Sequence, residues 1–161
     1  MKSYIIGIAL FILFMFFTIF QSDYNRHQEQ LQLLKYVAEE AAAAAAQYII
    51  PNYYKEGYLV FNQTAGNLSA NSVVRENMRL DSNLQPTLYS HWKEQISYMI
   101  DYYDDLNTEY PYELSRPEFN LVLMITAPTV IVTLNAGKAD YRFYKEPPDI
   151  LTLAAHEWQD R

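Results

Sequence analysis

A chain of 161 residues is one ordinary domain, or one small domain plus an anchor. Half of its residues are apolar and 16% are aromatic, with 15 Tyr, which excludes a wholly disordered chain. A net charge of -7 leaves no basic stripe to displace phosphate counterions, so no nucleic acid partner is expected. Zero Cys excludes thiol catalysis, disulfide scaffolds and Cys-ligated zinc.

The first element is an apolar run. Tyr4 to Phe20 carries no charge and is built almost wholly from Ile, Leu, Phe and Met. As a helix it spans roughly 26 Å, slightly short of the ~30 Å hydrocarbon core. A secretory signal peptide competes for this reading, with Lys2 as its positive n-region. Against it, the run exceeds a usual h-region, and Phe20-Gln21-Ser22-Asp23 offers no small-x-small cleavage site. An uncleaved or pilin-type anchor is the expectation. Lys2 before the run and Asp23 after it favour N-in, C-out, which puts the rest of the chain in an extracytoplasmic compartment.

The helix is expected to continue past the membrane. From Gln28 to Ile50 there is no Gly or Pro, and Ala38 with Ala41 to Ala46 are strong helix formers. Leu31, Leu34, Ala38, Ala41, Ala45 and Tyr48 recur at steps of 3 and 4. The same rhythm runs back through Tyr24 to Phe20, Phe17, Leu13 and Leu10, with His27 discordant. Gln32, Lys35 and Glu39 sit on the other side. One helix of about 45 residues, ending at Pro51 and Asn52, fits this register. Leu10, Leu13, Phe17, Phe20, Leu31, Leu34, Ala38, Ala41, Ala45 and Tyr48 are thus a candidate helix-assembly seam. The Ala run supports two readings: packing on the chain's own domain, or close approach of neighbouring helices.

Residues 51 to 161 read as a compact head. Tyr58 to Asn62 is expected as a first strand, and Asn62 to Asn71 as a turn. Ser72 is expected to cap a short helix through Leu80. Trp92 to Leu106 fits a helical face and an alternating strand about equally. Residues 104 to 118 read as an acidic, Tyr-rich excursion. Leu121 to Ile125 is a strand, broken at Pro128, and Val130, Val132 and Leu134 alternate along the next one. Asn135 to Lys138 reads as a hairpin turn returning through Tyr141 to Lys145. Asp149 to Trp158, after Pro147-Pro148, is expected as a short helix. The fold class is α+β, with residues 1–50 a membrane-spanning and extended helix and residues 51–161 an extracytoplasmic head carrying a small antiparallel sheet.

Chemistry is thin. His27, His91 and His156 sit in no ligand pattern, and there is no nucleophile elbow or Gly-rich phosphate loop. Asp101, Asp104, Asp105 and Glu109 offer oxygen ligands but not the spacing of a calcium loop. Asn62-Gln63-Thr64 and Asn67-Leu68-Ser69 match the N-glycosylation pattern. Tyr53, Tyr54, Tyr102, Tyr103, Tyr110 and Tyr112 are candidate contacts for a partner of the head. No catalytic residue, metal ligand or cofactor is expected, and nothing in the chain reads as an enzyme.

A short charged N-terminus, one apolar span, a long Ala-rich helix and a C-terminal sheet together resemble the layout of type IV pilin-like subunits. Leu34-Lys35-Tyr36-Val37-Ala38-Glu39-Glu40-Ala41-Ala42 resembles the juxtamembrane helix of TadE-like pseudopilins. Arg75 to Asp81 and Ala127-Pro128-Thr129-Val130-Ile131-Val132 are similar to later parts of that family. The resemblance implies a minor pilin or pseudopilin of a Tad or Flp pilus or a related secretion apparatus. Its partners would be other pilin-like subunits or membrane assembly-platform proteins, besides the lipid bilayer. Pilins carry a Gly before the processed apolar segment and a Glu at the fifth residue after it. Gly7 and Ile8 offer such a site, but Ile12 stands in place of the Glu.

Overall fold

A computed structural model describes residues 2–88, 90, 92–138 and 149–158. Helix α1 runs without a break over Lys2–Ala46, 45 residues and roughly 65 to 70 Å. It ends before Pro51 rather than at it. Tyr48 is already outside the helix, and Ile49 makes a bridge to Phe61. Pro51 instead opens a one-turn helix α2, Pro51–Lys55, where its missing N–H costs nothing.

Helix α3 spans Gln63–Met78. The expected turn over 62–71 is therefore helix, and the helix capped at Ser72 begins ten residues earlier. Asn62 is the cap, its side chain accepting from the Ala65 N–H at 3.2 Å. Arg79 closes the helix in a left-handed conformation, φ 56°. Tyr58 to Asn62 forms no full strand; it is an extended return held by the Ile50 N–H on the Val60 carbonyl and the Asn62 N–H on the Tyr48 carbonyl, both 2.8 Å.

Strand β1, Ser97–Tyr103, resolves the two-way reading of residues 92–106 in favour of sheet. Strand β4, Thr129–Lys138, is central, with β1 antiparallel on one side and β5, Asp149–Glu157, antiparallel on the other. The expected C-terminal helix is thus an edge strand. Ile150 and Ala154 are four apart and suit either period; pairing with β4 decides it. Asn135 to Lys138 stays within β4, where the register shifts and Gly137 takes φ 75°. The expected return over 141–145 lies outside the described residues. A separate antiparallel ribbon pairs β2, Tyr112–Arg116, with β3, Leu121–Ile125, so the acidic excursion is partly strand.

The sheet and α3 pack on the second half of α1. Leu34, Val37, Ala38, Ala41, Ala42, Ala45 and Ala46 are buried with Val74 and Met78 of α3 and Val130, Val132, Leu134, Ile150 and Ala154 of the sheet. A boundary at residue 50 therefore does not divide two cores, because α1 supplies part of the head's own. The far side of β4 presents Ile131 to Leu114 and Ile125 of the ribbon, so the central strand is buried on both faces.

Candidate assembly surface

Helix α1 lives in two environments. From Tyr4 to Phe17 its large apolar side chains are exposed along every face, and Phe20 is exposed as well. Among the described residues α1 is the one helix long and apolar enough to cross a membrane. Gly7 and Ile8 lie in this exposed half, and nothing approaches within 4 Å of where a Cβ on Gly7 would stand.

The proposed seam is divided between these environments. Leu10, Leu13, Phe17 and Phe20 are exposed, Leu31 is half-buried, and Leu34, Ala38, Ala41 and Ala45 are wholly buried in the head. Tyr48 lies beyond the helix and is exposed. The upper half of the stripe is thus occupied by the chain's own α3 and sheet. The small Ala side chains do permit close approach, and α3 of the same chain makes it. A Cβ on Gly66 of α3 would stand 3.0 Å from the Ala45 carbonyl and 2.5 Å from the Tyr102 hydroxyl.

The outer face of α1 stays polar. Lys35 and Glu39, one turn apart, form an exposed ion pair at 3.8 Å, and Tyr36 beside them is exposed. Glu40 accepts a hydrogen bond from the Asn77 side chain at 2.8 Å, tying α3 to α1 from outside the core.

The tyrosines flagged in the sequence do different work. Tyr102 packs on Phe61, ring centroids 5.9 Å apart, and its hydroxyl donates to Asn67 at 2.9 Å. Burial, and then its neighbour Tyr98, push its phenol up to about 12. Tyr103 stacks on Tyr112 at 5.6 Å across the sheet and ribbon, and burial raises its phenol too. Tyr110 is raised by burial and by Asp105 and Asp104 nearby. Tyr53 and Tyr54 are exposed on α2, just past the end of α1, with Tyr48 and Tyr58 near them in sequence.

The acidic residues are engaged with backbone and an arginine. Asp104 is buried and accepts the N–H groups of Phe61 at 3.4 Å and Leu106 at 3.2 Å. Asp105 accepts the Leu59 N–H at 2.6 Å, and Asp101 pairs with Arg116 of the ribbon. Glu109 is exposed. Among the described residues no group of three His, Cys, Asp or Glu is placed to hold a metal. His27 is half-buried on α1 and burial lowers its pKa, His156 is exposed on β5, and His91 lies outside the described residues. Asn67, in the second N-glycosylation match, is held by Tyr102, and Asn62, in the first, by its cap.

No family model, no curated protein and no solved structure matches the chain.

Proposed function

We propose that this chain is a pilin-like structural subunit, a minor pilin or pseudopilin of a Tad/Flp-type pilus or a related secretion apparatus. Tyr4 to Phe20 anchors it in the cell membrane, N-in and C-out, with the head in the extracytoplasmic space. Other pilin-like subunits or assembly-platform proteins meet it through α1. The observation that supports this most is the single unbroken helix, exposed and apolar in its first half and built into the head's core in its second. Such a helix transmits position: a partner that moves the anchor moves the head with it, because no hinge lies between Phe20 and Leu34.

The test is the intact mass and N-terminal sequence of the chain from native membranes and from sheared surface material. A chain beginning at Ile8 in the sheared fraction supports a processed filament subunit despite Ile12. An intact Met1 chain confined to membranes removes the filament role and favours a second reading, a single-pass tether. The exposed Tyr53 and Tyr54 on α2 support that second reading. It predicts that Tyr53→Ala with Tyr54→Ala abolishes co-purification of the head's partner while the fold is kept.

A further inference from the structure

We propose that a cavity beside α1, just above the apolar span, binds the headgroup of a phospholipid that carries a phosphate and a primary amine. Arg26 takes the phosphate and Glu29 the ammonium. The proposal rests on the reading of Tyr4 to Phe20 as a membrane anchor. The cavity, about 770 Å³, runs along one face of α1 from Thr18 to Leu33. That is about 22 Å of helix, and the volume lies within the ~300–1,000 Å³ range of ligand sites. Its two ends differ. Thr18, the lower lip, turns its hydroxyl onto the Phe14 carbonyl at 2.9 Å, so that hydroxyl is satisfied within the helix at the hydrocarbon's edge. Leu33, the upper lip, is half-buried and packs on the core of the head. Between them the lining is polar, and Ser22, Asn25, Arg26 and Glu29 are exposed along it.

The height of the charged pair fits a headgroup. Tyr24 is 52% exposed and stands about 6 Å above Phe20, where amphipathic aromatics mark the membrane–water interface. Arg26 stands about 9 Å and Glu29 about 13.5 Å above Phe20. Helix side chains lean towards the N-terminus, here the bilayer, so both long side chains reach down to a headgroup layer about 5–7 Å thick. The charge fits as well. The lining carries one cation and one anion, so a simple anion that meets Arg26 also meets Glu29. A zwitterion satisfies both. Arg26 and Glu29, three residues apart, share a face with a rise of about 4.5 Å, which suits a phosphate and an ammonium joined by a two-carbon link. The amine must be primary, because a carboxylate accepts from N–H and a quaternary ammonium has none. Ser22 and Asn25 offer further donors to the phosphate oxygens.

The test uses the full-length chain in detergent, given equal amounts of phosphatidylethanolamine, phosphatidylcholine and phosphatidylglycerol and read by native mass spectrometry. One retained phosphatidylethanolamine is expected. Its preference over phosphatidylcholine should be about threefold to tenfold, the worth of one charge-assisted hydrogen bond at an exposed site. Glu29→Gln, which keeps size and polarity, is expected to bring the two to near parity. Arg26→Gln is expected to lower retention of all three, and Gln32→Ala, outside the cavity, to change nothing. Thermal melts check that each variant folds; if Arg26→Gln melts early, the Glu29→Gln comparison alone decides. Inorganic phosphate and free phosphoethanolamine at millimolar concentration should leave the bound lipid in place. Displacement by either would assign the site to a soluble phosphate compound and overturn the lipid assignment. Equal retention of the three lipids by the wild-type chain, or a phosphatidylethanolamine preference unchanged in Glu29→Gln, overturns the proposal. Failure of the wild-type chain to float with phosphatidylcholine vesicles would instead remove the anchor reading on which it rests.

Discussion

At the scale of single residues, Gly66 is where α3 approaches α1 closely in backbone terms, 3.0 Å from a would-be Cβ to the Ala45 carbonyl. It lets α3 come down on Ala45 and leaves room for the Tyr102 hydroxyl. A Gly→Ala change inside a helix gains up to about 1 kcal/mol in propensity. Here the new methyl meets a backbone carbonyl at 3.0 Å, and overpacking of that kind costs about 1–3 kcal/mol. Gly66→Ala should therefore lower stability in urea melts, and adding Tyr102→Phe should recover part of the loss by removing the 2.5 Å contact. A fully additive double mutant would mean that the two sites do not touch. Tyr102 also sets a pH limit. Its phenol is raised in the folded state to about 12 from an ordinary value near 10, so the unfolded chain loses that proton first. The stability tied to the neutral phenol is fully present below about pH 10 and falls away as pH rises through about 12. Tyr102→Phe should flatten that alkaline decline in thermal melts, leaving only what Tyr103 and Tyr110 contribute.

At the scale of elements, much of the layout was legible in residue order, and the misreadings share a cause. The unbroken α1, strand β3 and the buried Val130, Val132 and Leu134 of β4 follow from periodicity that local physics can sustain. The first half of helix α3 was hidden because Asn62, Gly66, Asn67, Ser69 and Asn71 carry turn chemistry. What holds them helical is a buried strip of Gly66, Ala70, Val74 and Met78 against α1, a tertiary effect. Strand β5 was hidden because its apolar spacing satisfies a helix, and only the β4 edge selects an extended chain. The seam is the instructive case. Its rhythm from Leu10 to Ala45 is real, but sequence does not say which neighbour fills each part. Ala41 is fully buried, so Ala41→Glu places a charge in the head's core, at several kcal/mol. Loss of the folded head, seen as a missing cooperative melt, is the expected result. Tyr36→Glu, on the exposed face of the same helix, should leave the melt unchanged.

At the scale of the whole molecule, the account makes α1 one rod serving as anchor below and core above. The apolar surface at Tyr4 to Phe20 is too large for a water-soluble monomer to leave bare, and a bilayer or neighbouring helices must cover it. The head, by contrast, is incomplete without Leu34 to Ala46. The two halves therefore answer differently to truncation, and this is the most direct check on the account. A chain of residues 21–161 keeps every buried position of α1 and should be soluble, helical by circular dichroism and cooperative in its thermal melt. A chain of residues 51–161 loses seven buried residues of the core, Leu34, Val37, Ala38, Ala41, Ala42, Ala45 and Ala46, and should show no cooperative melt. A 51–161 chain that folds as well as the longer one would contradict the claim that α1 is the core of the head.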